Sequence, residues 1–192
     1  MVKNNQTEKA RLGAIGEHMV LMKLMEQGYD AFNANITIKN YKSIDLVVLN
    51  SDIPESTEES WKPKSALIQV KTSVQGNIPA GFSIEQALDK EYLERMVKGP
   101  YVFVKAVNTG NGYDFRFFIL SRQQFIDLLY ASHDWYVHQY VRETPIKLYS
   151  PAGLSVSWME GKDVPATSKH PAFINPLGGV SCEDVWENIW KP

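Results

Sequence analysis

The chain contains one cysteine, Cys182, in 192 residues. That excludes an intramolecular disulfide framework and every zinc site built on two or more thiolates. Histidine is almost as scarce. Of His18, His133, His138 and His170, the middle two stand five apart, off the spacing that puts two ligands on one helical face. No run approaches the roughly 18 apolar residues of a membrane span. The opening segment MVKNNQTEKARLG is polar and lacks the apolar centre of a signal peptide. No membrane association is expected, and the cytoplasm is the expected compartment. A net charge of −2 excludes a protein that coats nucleic acid through bulk charge.

Apolar residues make up 44% of the chain and charged residues 22%, the balance of a globular protein. The length suits one domain plus an extension. Residues 7–27 read as a helix, with Thr7 as N-cap and Gly28 beyond its end. Residues 29–38, 44–49 and 66–72 read as strands, and the acidic, proline-containing stretch 50–65 as a surface loop. Ser83 and Gln86 form a capping box ahead of Ile84, Leu88, Tyr92 and Met96, which repeat every four residues, so one amphipathic helix is expected up to Gly99-Pro100. Residues 101–107 and 113–120 suit a hairpin, and Ser121 caps a third helix to about Tyr136. The domain is placed at 1–144 and the extension at 145–192. The last 48 residues hold six of the ten prolines and three of the five tryptophans, so the extension is expected to pack on the core rather than hang loose. Two further strands, 146–149 and 154–158, and a terminal helix from Ser181 are expected within it.

Three places put polar groups where the pattern says core. Asp45 interrupts the apolar strand IDLVVL, and Gln69 and Lys71 share one face of ALIQVKT. Glu17 falls in the middle of an arc made by Ala10, Gly13, Ala14, Val20, Leu21, Leu24 and Met25 at 100° per residue. Burying an unpaired charge costs several kcal/mol, so these groups need partners. Carboxylate and amide oxygens suit a hard cation such as Mg²⁺ or Mn²⁺, and a lysine beside it orients water or stabilises developing charge.

GAIGEH at 13–18, SIDLVVL at 43–49 and IQVKTS at 68–73 together resemble the PD-(D/E)XK, or restriction-endonuclease-like, nuclease superfamily. The glutamine in the second motif is similar to Mrr-type endonucleases, and the Glu17 and Asp45 arrangement to archaeal Holliday-junction resolvases. The resemblance covers about residues 7–120. It implies an α/β fold with a three-layer core around a central mixed sheet in αβββαβ order. It also implies a metal-dependent endonuclease that hydrolyses phosphodiesters, DNA in preference to RNA, in a form compatible with a homodimer. Carried over, Asp45 is the central metal ligand, Gln69 replaces the usual second acid, the Val70 carbonyl joins the coordination and Lys71 is catalytic. Glu17 matches the helical glutamate that supports metal or water.

Three departures stand out. Ile44 replaces proline. Gln69 leaves two carboxylates against one ammonium, a set with one net negative charge and weaker expected metal affinity. And 23 residues separate Asp45 from Gln69, the acidic stretch accounting for the excess. The alternative is a non-catalytic member of the fold that binds nucleic acid or protein. His18 reads as a surface or internally satisfied residue and the tryptophans as core. Ser73 and the lysines at 39, 42, 62 and 64 are weaker candidates for phosphate contact.

Overall fold

The computed structural model describes residues 5–35, 44–50, 64–141 and 144–192. The sequence readings that fall on 36–43 and 51–63, Lys39, Lys42 and Lys62 among them, lie outside the described residues.

The protein is α/β, with a central mixed sheet. Helix α1 (Asn5–Glu26) leads into β1 (Asp30–Asn33), β2 (Leu46–Asn50) and β3 (Lys64–Ser73). Then come β4 (Asn77–Ser83), α2 (Ile84–Ala87), α3 (Lys90–Met96), β5 (Tyr101–Asn108) and β6 (Tyr113–Leu120). Helix α4 (Arg122–His138), β7 (Pro151–Ser155) and α5 (Val156–Met159) follow, and a 3₁₀ turn at Trp186–Trp190 ends the order. The central sheet runs β1-β2-β3-β5-β6, while β4 pairs with β7 in a separate two-stranded sheet. Among the described strands only β3 and β5 pair in parallel. A parallel pair needs a crossover, and α2 and α3 lie within it.

Alternation along β5 divides the interior. Val102 and Val104 face α1 with Val20, Leu24, Ile68 and Val70, and Tyr101 and Phe103 face α4 with Phe125, Ile126 and Leu129. Helix α1 ends in a Schellman arrangement: Gly28, at φ 84°, donates to Met25 O, and Tyr29 donates to Leu24 O at 3.1 Å.

Several expected elements differ. The arc on α1 is rotated: Gly16, Val20 and Leu24 are buried, whereas Ala10, Ala14 and Met25 are exposed. The expected helix over 84–96 is two, because Asp89 starts a new one by accepting from Tyr92 N at 2.8 Å. Strand β4, hidden behind Pro79 and Gly81, is not legible in the sequence. Residues 146–149 form no strand. The terminal helix is a short 3₁₀ turn, and α5 begins directly after Ser155 where a strand was expected to continue.

The extension is tied into both interiors. Ala152, Leu154, Met159 and Phe173 join the α4 side, and Trp186 and Ile189 the α1 side. Arg116 on β6 holds it from outside, donating to both oxygens of Glu183 at 2.6 and 2.7 Å and to Glu160 at 2.6 Å.

Helix α1 lies close against the sheet at Gly16, where a Cβ would lie 1.9 Å from Thr72 Oγ1. That hydroxyl is buried with no hydrogen-bond partner among the described residues. Overpacking costs about 1–3 kcal/mol, enough to outweigh the roughly 1 kcal/mol that alanine gains over glycine in a helix. Gly16→Ala is expected to lower the Tm, and to lower it less on a Thr72→Ala background. Equal losses on both backgrounds in thermal melts would reject this contact as the constraint on α1.

Candidate functional site

The ladder between β2 and β3 has its last register pair at Leu46 and Ile68. Strand β3 continues to Ser73, and residues 69–73 pair on their other side with β5. One edge of β3 is therefore left by β2 at the point where Gln69, Val70 and Lys71 follow.

Asp45 occupies that edge. Its N–H still donates to Ile68 O at 3.0 Å, but its side chain turns to the next donor along β3: Oδ2 accepts from Val70 N at 2.8 Å. Oδ1 accepts from Asn35 Nδ2 at 3.3 Å. The carboxylate thus takes the place of a ladder carbonyl. A strand residue points its N–H and C=O the same way, so the Val70 carbonyl faces the same edge.

Gln69 and Lys71 project from the face of β3 opposite α1, since Ile68 and Val70 pack with Val20 and Leu24. Glu17 comes from α1 on the other face. It nevertheless shares an electrostatic neighbourhood with them. Burial raises the Glu17 pKa, the Asp45 charge raises it further, and His18 and Lys71 pull it down. Lys71 is pushed down by burial, while Asp45 and then Glu17 oppose that shift. The two carboxylates and the ammonium thus feel one another's charge across the edge of β3. Strand β4 backs the lysine: a Cβ on Gly81, at φ 90°, would lie 3.3 Å from Lys71 Cε.

Tyr101 belongs to this neighbourhood and was not picked out from the sequence. It is the register partner of Gln69 across β3 and β5 and is 3% exposed. Burial raises its phenol pKa well above the ordinary value, and Asp45 adds to the shift. Its only sequence signal is a polar tip at the start of an apolar strand. Asn35 and Gly81 carried none.

The weaker candidates resolve as follows. His18 is exposed, with Nδ1 2.7 Å from Ala14 O on its own helix. Ser73 Oγ accepts from Gln75 N at 2.9 Å, a local turn. Trp186 is buried, and Trp190 meets Tyr29 edge-on at 5.3 Å. A groove of about 560 Å³ beside Leu67, Gly99, Arg122 and Lys191 lies toward the beginning of β3 and holds none of the site residues.

For a cation this region offers oxygen only: Asp45 and the Val70 carbonyl at the edge, Gln69 on one face of β3 and Glu17 on the helix over the other. Among the described residues no three His, Cys, Asp or Glu side chains cluster as metal ligands. Any metal here depends on the amide and the carbonyl as well. That donor set fits a hard divalent ion and not a thiophilic one.

Comparison with family models, with curated proteins and with solved structures returned no match. No helix among the described residues is long and apolar enough to cross a membrane.

The sign of the Glu17 shift gives a pH test. The folded protein holds the Glu17 proton above the ordinary value of 4.5, so it binds more protons than the unfolded chain in the window just above that pH. Stability from this group is complete below the window and falls as pH rises through it. Lys71 acts oppositely: its depressed pKa makes stability rise with pH between its folded value and the ordinary 10.5. Glu17→Gln removes the first dependence. In chelator, the Tm of the variant relative to wild type is expected to climb as pH rises from 4.5 toward neutrality. A constant difference across that range would mean that Glu17 is not desolvated beside Asp45.

Proposed function

We propose that the chain is a metal-dependent nuclease with a restriction-endonuclease-like core, acting on DNA in preference to RNA. The observation that carries this reading is the Asp45 carboxylate held on Val70 N at the edge where β2 leaves β3, with Lys71 and Glu17 within its electrostatic reach. Two carboxylates facing a polyanion repel it unless a cation lies between them. A buried lysine next to them supplies positive charge at the same point.

Asp45, Glu17, the Gln69 amide oxygen and the Val70 carbonyl would hold Mg²⁺ or Mn²⁺. When bound, the ion would supply Lewis acidity toward a phosphoryl oxygen and lower the pKa of a coordinated water. Asp45 is preset for its role, because Val70 N and Asn35 fix both of its oxygens and leave each with a lone pair. Gly81 lies against the Lys71 stem, and the charges of Asp45 and Glu17 favour its ammonium form. Its ammonium orients the attacking water and balances the charge that builds on the phosphoryl oxygens. Burial lowers its pKa, which also brings it nearer to exchanging a proton with that water.

The test separates chemistry from folding. Asp45→Asn keeps an acceptor for Val70 N, so it avoids the roughly 1–3 kcal/mol cost of a buried unpaired donor. It is expected to abolish Mn²⁺ binding in calorimetry with little change in Tm. Gln69→Glu, which adds an anionic oxygen, is expected to tighten Mn²⁺. Lys71→Ala is expected to lose about 10²–10³-fold in plasmid cleavage while binding DNA almost as well. Wild-type protein that neither binds Mn²⁺ nor cleaves DNA or RNA in its presence would end the nuclease reading. DNA binding without cleavage or metal would favour the non-catalytic alternative.

A further inference from the structure

The charged edge has an uncharged neighbour. A cavity of about 130 Å³ is lined by Gln69, Phe82, Gln86, Tyr92, Met96 and Tyr101. Gly81 completes its wall, and Gln69 and Gly81 thus belong to both the cavity and the setting of Lys71. No lining side chain carries a formal charge, so a phosphate finds no counter-charge inside. The volume is well below the roughly 300–1,000 Å³ of clefts that hold drug-sized ligands. It is several times the roughly 30 Å³ share of one water. A single planar ring fits these bounds.

The walls are aromatic and braced. Tyr101 stacks on Phe125 with ring centroids 3.7 Å apart and planes 12° from parallel. Phe82 meets Tyr92 edge-on at 6.5 Å, and Arg95 lies 5.8 Å from the centroid of the Tyr92 ring. The polar groups are braced as well. Gln86 Oε1 accepts from Ser83 N at 2.9 Å in the capping box of α2, and Nε2 donates to Tyr92 OH at 3.0 Å. A primary amide carries a second N–H, and a phenol that accepts still has its own hydrogen to give. The wall therefore presents two donors on a fixed frame. Met96, 46% exposed, is the solvent-exposed side chain of the lining and the most adaptable of the set.

We infer that this cavity binds a single nucleobase, unstacked from its neighbours, whose ring nitrogen or carbonyl edge accepts hydrogen bonds from Gln86 and Tyr92. That the base belongs to the strand being cut rests on the nuclease reading; the capture of a base does not. Because Gln69 separates cavity and edge, the captured base and the phosphate at Asp45 and Lys71 come from the same short stretch of strand. Unstacking is least costly where bases are already single-stranded or mismatched, so the substrate class is single-stranded or distorted DNA rather than regular duplex.

The experiment titrates full-length protein with deoxycytidine, thymidine and deoxyguanosine, and with deoxyribose 5-phosphate as the baseless control. It follows the Gln86 side-chain amide and the Met96 methyl by NMR. Saturable shifts with at least one nucleoside and none with the sugar phosphate are expected. Tyr92→Phe keeps the ring and loses one hydrogen bond, so binding should weaken about 3–10-fold. Met96→Trp, which puts an indole into the lining, should abolish it, with melting curves confirming that both variants fold. No shift with any nucleoside, or equal shifts with the sugar phosphate, overturns the inference. Cleavage assays run in parallel keep the two readings apart. Cleavage without nucleoside shifts leaves the nuclease and removes the base pocket, and shifts without cleavage do the reverse.

Discussion

The candidate site depends on where β2 stops pairing with β3. A ladder that continued past Leu46 and Ile68 would give Val70 N a backbone carbonyl and turn its own carbonyl into another rung. Instead the strand departs, and the Asp45 carboxylate fills the position at 2.8 Å from Val70 N. One hydrogen bond thus satisfies a backbone donor that would otherwise be orphaned and fixes a carboxylate at the sheet edge. The same departure lets α1, packed on one face, bring Glu17 within electrostatic reach of Lys71 on the other.

Packing on both faces makes this edge rigid. Gly16 brings α1 against Thr72, one residue beyond Lys71, so the helix that carries Glu17 has little room to shift. On the other face Gly81 lies against the Lys71 stem, and Tyr101 is clamped on Phe125. The groups of the site sit on strands and a helix anchored by buried residues such as Val20, Leu46 and Ile68, the arrangement that holds reacting groups in place. The extension contributes from a distance. It supplies β7, which pairs with β4 and so supports the strand behind Lys71.

Asp45, Gln69 and Lys71 were legible because a strand has a two-residue period, and a polar residue on a buried stripe breaks it visibly. Glu17 was legible for a different and less accurate reason. The apolar arc around it suggested burial through Ala14 and Met25, but the helix is rotated so that Gly16, Val20 and Leu24 are buried instead. Tyr101 was invisible because a tyrosine in an apolar strand looks like core, which it also is. Strand β4 was invisible because Pro79 and Gly81 read as breakers. It exists through its pairing with β7, some seventy residues later in the chain, and the register slips between Pro79 and Ser83 where the glycine stands. Asp89 breaks the 84–96 helix through a cap whose strength the four-residue periodicity could not reveal.

Gln69 is where the two proposed functions of this region constrain each other. Toward the edge, a carboxylate would serve a cation better than an amide does, because each added anion strengthens a hard-ion site. Toward the cavity, a carboxylate would set a charge in a wall made with Phe82, Tyr92 and Tyr101, where desolvation opposes ionisation. It would also replace an amide that both donates and accepts with a group that only accepts. An amide satisfies the second side at the expense of the first. The loss is partly offset by Glu17, which brings a second carboxylate to the edge from a helix that the cavity does not touch. On this view the glutamine is not a degraded acid. It is the residue that lets a charged edge and a neutral pocket share one wall, and Glu17 is the compensation that makes the sharing workable.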